Sequence, residues 1–241
     1  MSALRSKQEA FNQAMFQFEN HGRYRLFGYA AAGVSIFLQI TTVLWVIQVE
    51  WSALELILSL LVAYYLTDLF NGLIHLFMDH YDKYDRPWGP LVAHFHLHHQ
   101  TPRYTKRPLV VIYFMETAAK LWLPVYLGGL WFLLGAGVLT GPPALVAVMF
   151  GVLSSFAEVS HYLCHTSTSK WVRHLGRLRI ILPMKHHGKH HSQDNMNYAF
   201  LNGMSDPLLN WIARYGYPGY KRTTDLHFAN YSAGEQASDR I

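Results

Sequence analysis

Thirteen of the chain's 15 histidines fall between His75 and His191, in groups whose spacing suits metal ligation. His75 and Asp79 stand one helical turn apart, as do His161 and His165, so each pair projects from one helix face and can chelate. His98 and His99 follow His94 and His96, and His186, His187, His190 and His191 form an HHxxHH block after Pro183. If that block is helical, His187 sits above both His190 and His191. Unpaired imidazoles are costly beside hydrocarbon, and these are interleaved with Leu, Phe, Met and Pro instead of forming a polyhistidine tract. They read as a metal site, with His186, Asp79 and His94 ranked behind His75, His98, His99, His161, His165, His187, His190 and His191. Cys164 is the single cysteine, which excludes a disulfide framework and a cysteine-built zinc or iron–sulfur site. Imidazole without thiolate suits zinc, copper, iron or nickel. One zinc takes about four ligands, whereas eight or more histidines suit two metals that keep positions open for an oxidant, and a pair of irons activating dioxygen fits. Glu158, before His161, and Asp68, before His75, lie on roughly the same helix faces as those histidines. Each is placed either to orient a histidine through its second ring nitrogen or to make an ordinary hydrogen bond within a helix bundle.

The elements that must carry these groups are membrane helices. Apolar residues make up 51% of the 241 and charged residues 15%, against about 25% charged in a typical globular domain. The expected fold is all-α, with four transmembrane spans at about 26–48, 53–78, 121–139 and 144–163, capped by a helical region that holds the histidines. A stretch of ~20 apolar residues is enough to cross the ~30 Å hydrocarbon core. Every Lys and Arg falls before the first span, between the second and third, or after the fourth, and the turns at 49–52 and 140–143 have none. That distribution places both termini and all the clustered histidines on the cytoplasmic side. The N-terminal 25 residues carry Phe11, Met15 and Phe18 at helical spacing, which suits a segment lying along the interface or a frayed tail. They do not form a signal peptide, because the apolar run that follows is too long and lacks a small-residue cleavage site. The domain expected to hold the site is 26–215, and 216–241 reads as a polar cytoplasmic tail, with His227 outside every cluster. No GxGxxG or GxxxxGK motif is present, so nucleotide binding is unsupported. The basic residues follow the topology and form no isolated nucleic-acid patch.

The residues also resemble a known family. His161-Tyr-Leu-Cys-His165, and the run from Ile181 through Pro183 to His191, look like the histidine boxes of the lipid desaturase family that contains plasmanylethanolamine desaturase (Kua). Gly72-Leu73-Ile74-His75 with Asp79, and His98-His99-Gln100-Thr101-Pro102, are similar to its GLxH…D and HHxxP segments. Asn197-Tyr198 and Asp206-Pro207-Leu208 resemble its TY and YPL positions, so the likeness spans roughly residues 60–215. It implies a membrane di-iron enzyme that uses O2 to dehydrogenate a chain of an intact lipid, with electrons from a separate carrier of cytochrome b5 or ferredoxin type. It also implies residence in a bacterial inner membrane or the endoplasmic reticulum. Leu76, Leu97 and Arg179 depart from the family pattern, and His94 and His96 are extra. These changes leave the metal scaffold intact and leave both a vinyl-ether-forming reaction and acyl-chain desaturation open. A hydroxylase on the same scaffold differs only in product. A non-enzymatic metal carrier would need polar ligands through the bilayer midplane, whereas these spans keep their histidines at one end.

Overall fold

The computed structural model describes residues 3–100, 107–115, 120–193 and 196–217, and among them every regular element is a helix. In chain order these are α1 (Ala3–Asn20), α2 (Gly22–Val46), α3 (Ala53–His80), α4 (Gly89–Gln100), α5 (Leu109–Met115), α6 (Trp122–Gly135), α7 (Gly141–Thr166), α8 (Lys170–Arg177), α9 (Met184–Gln193) and α10 (Asp206–Gly216). The all-α expectation is borne out. Thr101, Pro102, Arg103, Lys106 and the tail beyond Tyr217, with His227, lie outside the described residues.

Three helices are long and apolar enough to cross a membrane: α2, α3 and α7, of 25, 28 and 26 residues. The stretch expected as the third span is helical for only 14 residues, a rise of about 21 Å against a hydrocarbon core of ~30 Å. The cause is local. Gly137 takes φ +67°, its N–H bonds Leu134 O, and the N–H of Val138 bonds Leu133 O. Together they form a Schellman stop that an uncharged sequence does not advertise.

The long helices are inside out relative to a water-soluble bundle. On α3, Leu54, Ile57, Leu61 and Val62 are exposed, whereas Ser59, Ala63, Thr67, Asp68, Asn71, Gly72 and His75 are buried. Apolar side chains facing outward, with small and polar ones between helices, is the pattern expected where the surroundings are lipid. The polar residues join helices across the interior. Gln39 Nε2 donates to Ser155 Oγ at 2.9 Å and to Gly151 O at 3.2 Å, linking α2 to α7, and Asn71 Nδ2 donates to Ser154 Oγ at 3.1 Å, linking α3 to α7. At the start of α3, Ser52 and Glu55 form a reciprocal capping box, so that acid belongs to the helix end.

The apolar face of α1 is covered by protein. Phe11 and Met15 are buried with Tyr84, Val92 and Ala93, Phe18 stacks on the His94 ring at 4.1 Å, and Lys7 pairs with Asp82 at 2.5 Å. The face for which an interfacial segment and a frayed tail were both open thus rests largely on α4.

Beyond α9 the chain folds back over the end of α3 and is buried from Asn197 to Asn202. Gly72 makes this fit possible, since a Cβ there would stand 2.3 Å from Leu209 Cδ1 and 3.2 Å from Ala199 Cα. Gly72→Ala is therefore expected to cost about 1–3 kcal/mol, read as a lowered unfolding midpoint in detergent. Gly33→Ala, where an added Cβ meets nothing within 4 Å, should be neutral or slightly stabilising; equal midpoints for the two variants would contradict this packing.

Candidate metal centre

The last turn of α7 delivers His161 and His165, and α9 delivers His187 and His191, each pair four residues apart. Their Nε2 atoms form a closed ring: His161 to His187 2.9 Å, His187 to His191 3.1 Å, His191 to His165 3.2 Å and His165 to His161 3.1 Å. Protons do not explain this ring. Four neutral imidazoles with Nε2 atoms turned together hold at most two Nε2–H donors that alternate with acceptors, so two of the four contacts carry no hydrogen bond. A single cation satisfies all four, because nitrogens bonded at about 2.1 Å with right angles between neighbours stand about 3.0 Å apart.

A second group lies alongside. His75 and Asp79 come from α3, His99 from α4 and His190 from α9. The Asp79 carboxylate stands 3.2 Å from the Nε2 of each of the three histidines. The far nitrogens of two of them are already committed: His75 Nδ1 donates to Tyr198 O at 2.7 Å, and His190 Nδ1 donates to Met196 O at 2.9 Å. In a neutral ring the Nε2 then carries a lone pair, and here two such lone pairs face a carboxylate oxygen. That arrangement is repulsive without a cation between the groups. His98, whose Nδ1 donates to Phe95 O at 2.5 Å, has a ligand atom within 4.8 Å of those of all four residues of this second group and of those of His161, His187 and His191 in the first. The donor set therefore fits two neighbouring metal ions, with every Nδ1–H that a backbone carbonyl accepts turning its Nε2 inward.

The eight first-ranked histidines are thus all brought together, and Asp79 stands with them at the centre of the second group. His187 and His191 share one group while His190 turns to the other, so the HHxxHH block feeds both. The remaining candidates do other things. His186 bonds Asp206 Oδ2 at 2.5 Å, and His94 lies under Phe18. Asp68 does not bond a histidine directly; its carboxylate accepts from the backbone N–H of Leu201, Asn202, Gly203 and Ser205 and from Ser205 Oγ, at 2.8–3.2 Å. Glu158 is buried in α7 and belongs to neither donor group. His96, one of the extra histidines, is fixed between Tyr84 Oη and Met78 O, both at 2.8 Å.

The sequence reading gave no structural part to residues 196–205. This segment supplies the carbonyls of Met196 and Tyr198, and its Phe200 ring stacks on His161 at 4.1 Å. Asp68 holds one end, Asp206 Oδ1 accepts from Ala199 N at 2.9 Å, and Ser160 Oγ donates to Leu201 O at 2.7 Å while accepting from Leu182 N at 2.8 Å. Two signals were available: an acid in the middle of an apolar span, and the Asn202-Gly203 turn, where Gly203 takes φ +80°. Cys164 has its sulfur within 4.8 Å of ligand nitrogens of His165 and His187, so the lone thiol borders the first group.

Burial holds the His98, His187 and His191 imidazoles neutral. Desolvation, then repulsion from neighbouring histidines, pushes His187 and His191 well below the usual histidine range, and desolvation lowers His98 to about 4. An unfolded histidine takes a proton below about 6.5, and folded His98 does so only near 4. The unfolded chain then binds more protons across that interval, so stability falls as pH drops from about 6.5 towards 4 and is flat above it. Metal-stripped protein should show this in its unfolding midpoint between pH 8 and 4. A midpoint that rises on acidification would contradict the buried neutral cluster.

A family model described as lipid desaturase domain matches residues 64–216. No curated protein and no solved structure matches. The matched segment runs from α3 to the end of α10 and contains every donor of both groups. The chain belongs to the lipid desaturase domain family.

Proposed function

We propose that this chain is a membrane-bound, O2-dependent di-iron desaturase that introduces a double bond into a chain of an intact phospholipid. The observation that carries this reading is the pair of adjoining buried donor groups, nine side chains rich in imidazole, within a lipid desaturase domain. His161, His165, His187 and His191 would hold one iron, His75, Asp79, His99 and His190 the other, with His98 between them. Bound there, the irons supply the oxidising power, drawn from dioxygen, that removes two hydrogens from adjacent carbons. The protein's own residues fix and enclose. Tyr198 and Met196 carbonyls hold the Nδ1 protons of His75 and His190, and Phe200 covers His161 and excludes water from that face. Which carbon reacts depends on where the lipid chain passes these groups.

The departures from the family pattern stay clear of the donor atoms. Leu76 packs with Tyr198, Ala199 and Leu209, Leu97 rests against the α1–α4 core, and Arg179 donates to Asn202 O at 3.2 Å. They leave the metal scaffold intact, with either vinyl-ether formation or acyl-chain desaturation as the reaction. An apolar cavity of about 690 Å³ opens between α3, α6 and α7, lined by Leu69, Phe70 and Leu73. Leu73 and His75 point about 160° apart on α3, so this cavity is separate from the metal groups. For topology we infer four crossings, α6 being a short one, with both termini on the cytoplasmic side. Electrons come from a separate carrier of cytochrome b5 or ferredoxin type.

Lipid mass spectrometry of cells with and without the chain tests the reaction. A phospholipid species lighter by two hydrogens is the expected product; one heavier by a single oxygen would make the chain a hydroxylase. His187→Ala should lower product by more than about 100-fold, since loss of groups merely behind metal ligands already costs 10–100-fold. Its expression and membrane insertion should stay near wild type. Full activity with retained metal in that variant would remove His187 from the site.

A further inference from the structure

From Val159 to Gln193 the chain carries six Lys and Arg and no Asp or Glu. Three of the six, Lys170, Arg173 and Arg177, fall at i, i+3 and i+7 on α8, with His174 beside them, so one face of this helix is cationic. With Trp171 they line a concavity of about 560 Å³. Among the described residues none of the three is paired with a carboxylate, although basic side chains on a protein surface commonly find one. The edge of the helix beside Arg173 holds it to the protein: Gly176 is buried, and a Cβ there would stand 3.3 Å from Pro183 Cα.

The position of α8 says what that charge is for. The helix starts four residues after α7 ends, and α7 is one of the three helices able to cross a membrane. Trp171 and Leu178, which lie together on one side of the basic face, are 78% and 57% exposed. An exposed indole and a row of cations with no carboxylate partner among the described residues, at the end of a span, match the headgroup layer, where aromatic rings settle and anionic phosphates attract Lys and Arg. An acidic protein partner would account for the charge and leave the exposed Trp171 and Leu178 unexplained.

We propose that the α8 face binds the phosphates of anionic phospholipids in the leaflet on the histidine side of the membrane, with Lys170, Arg173 and Arg177 as ligands and Trp171 as the interfacial anchor. The claim rests on α7 crossing the membrane and is independent of the reaction.

Native mass spectrometry of the full chain in detergent, titrated with phosphatidylglycerol or phosphatidylcholine, tests it. Wild type should retain phosphatidylglycerol preferentially, and the variant Lys170→Gln/Arg173→Gln/Arg177→Gln should lose that preference by about 10-fold or more. The variant Lys170→Arg/Arg173→Lys/Arg177→Lys, which keeps the charge, should retain it. Inorganic phosphate at equal concentration should not compete, because the membrane is the source of the ligand. Elution volume and metal content equal to wild type verify that the neutralised variant is folded. Unchanged phosphatidylglycerol retention in that folded variant overturns the proposal, as does displacement by inorganic phosphate. So does loss of binding to an acidic electron-carrier protein with lipid preference intact, which would make α8 a protein-docking face. None of these readouts measures desaturation, so failure here and failure of the desaturase reading are distinguishable.

Discussion

One carboxylate in the middle of an apolar helix organises the end of this molecule. Asp68 gathers four backbone N–H groups and a hydroxyl of residues 201–205. A buried carboxylate is stable there because those donors replace its water. The segment it holds carries Tyr198 and Met196, whose carbonyls take the Nδ1 protons of His75 and His190. The orientation of two imidazoles from different helices therefore traces back to a side chain that touches neither. Removing Asp68 would leave several buried N–H groups without an acceptor, each at about 1–3 kcal/mol, and would free the segment that aims the ligands.

The same economy of contacts recurs across the site. Ser160 ties α7, the Leu182 strand of chain and the Leu201 carbonyl through one hydroxyl. Gly72 lets the returning segment lie directly on α3. Asp206 fixes Ala199 with one oxygen and His186 with the other. These residues hold rigid what the histidines alone would not: four like groups turned toward one another repel until a cation joins them, so the scaffold must oppose that repulsion.

Much of the site was legible because a helix has a fixed period. His75 with Asp79, His161 with His165, and His187 with His191 each sit one turn apart, and each pair does reach a single group. Periodicity is silent on which pairs meet, and so it missed that His190, adjacent to His191 in sequence, turns about 100° away to join Asp79. It ranked Asp79 low, although that acid stands against three imidazoles, and it offered Asp68 as a histidine's partner where the returning backbone claims it. His186 carried the right spacing and the wrong neighbour, since Asp206 arrives from twenty residues downstream. The spans were read from uncharged length, which located α2, α3 and α7 well. It overran α6, because a Schellman stop at Gly137 depends on backbone conformation and not on charge. The amphipathic face of α1 was visible, but its covering partner, α4, could not be read from α1's own residues.

The central claim is that these nine donors hold two metal ions and that the ions are iron. Metal analysis of the purified full chain by inductively coupled plasma mass spectrometry, with protein quantified by amino-acid analysis, measures it directly. The account predicts close to two irons per chain. One zinc per chain and no iron would contradict it.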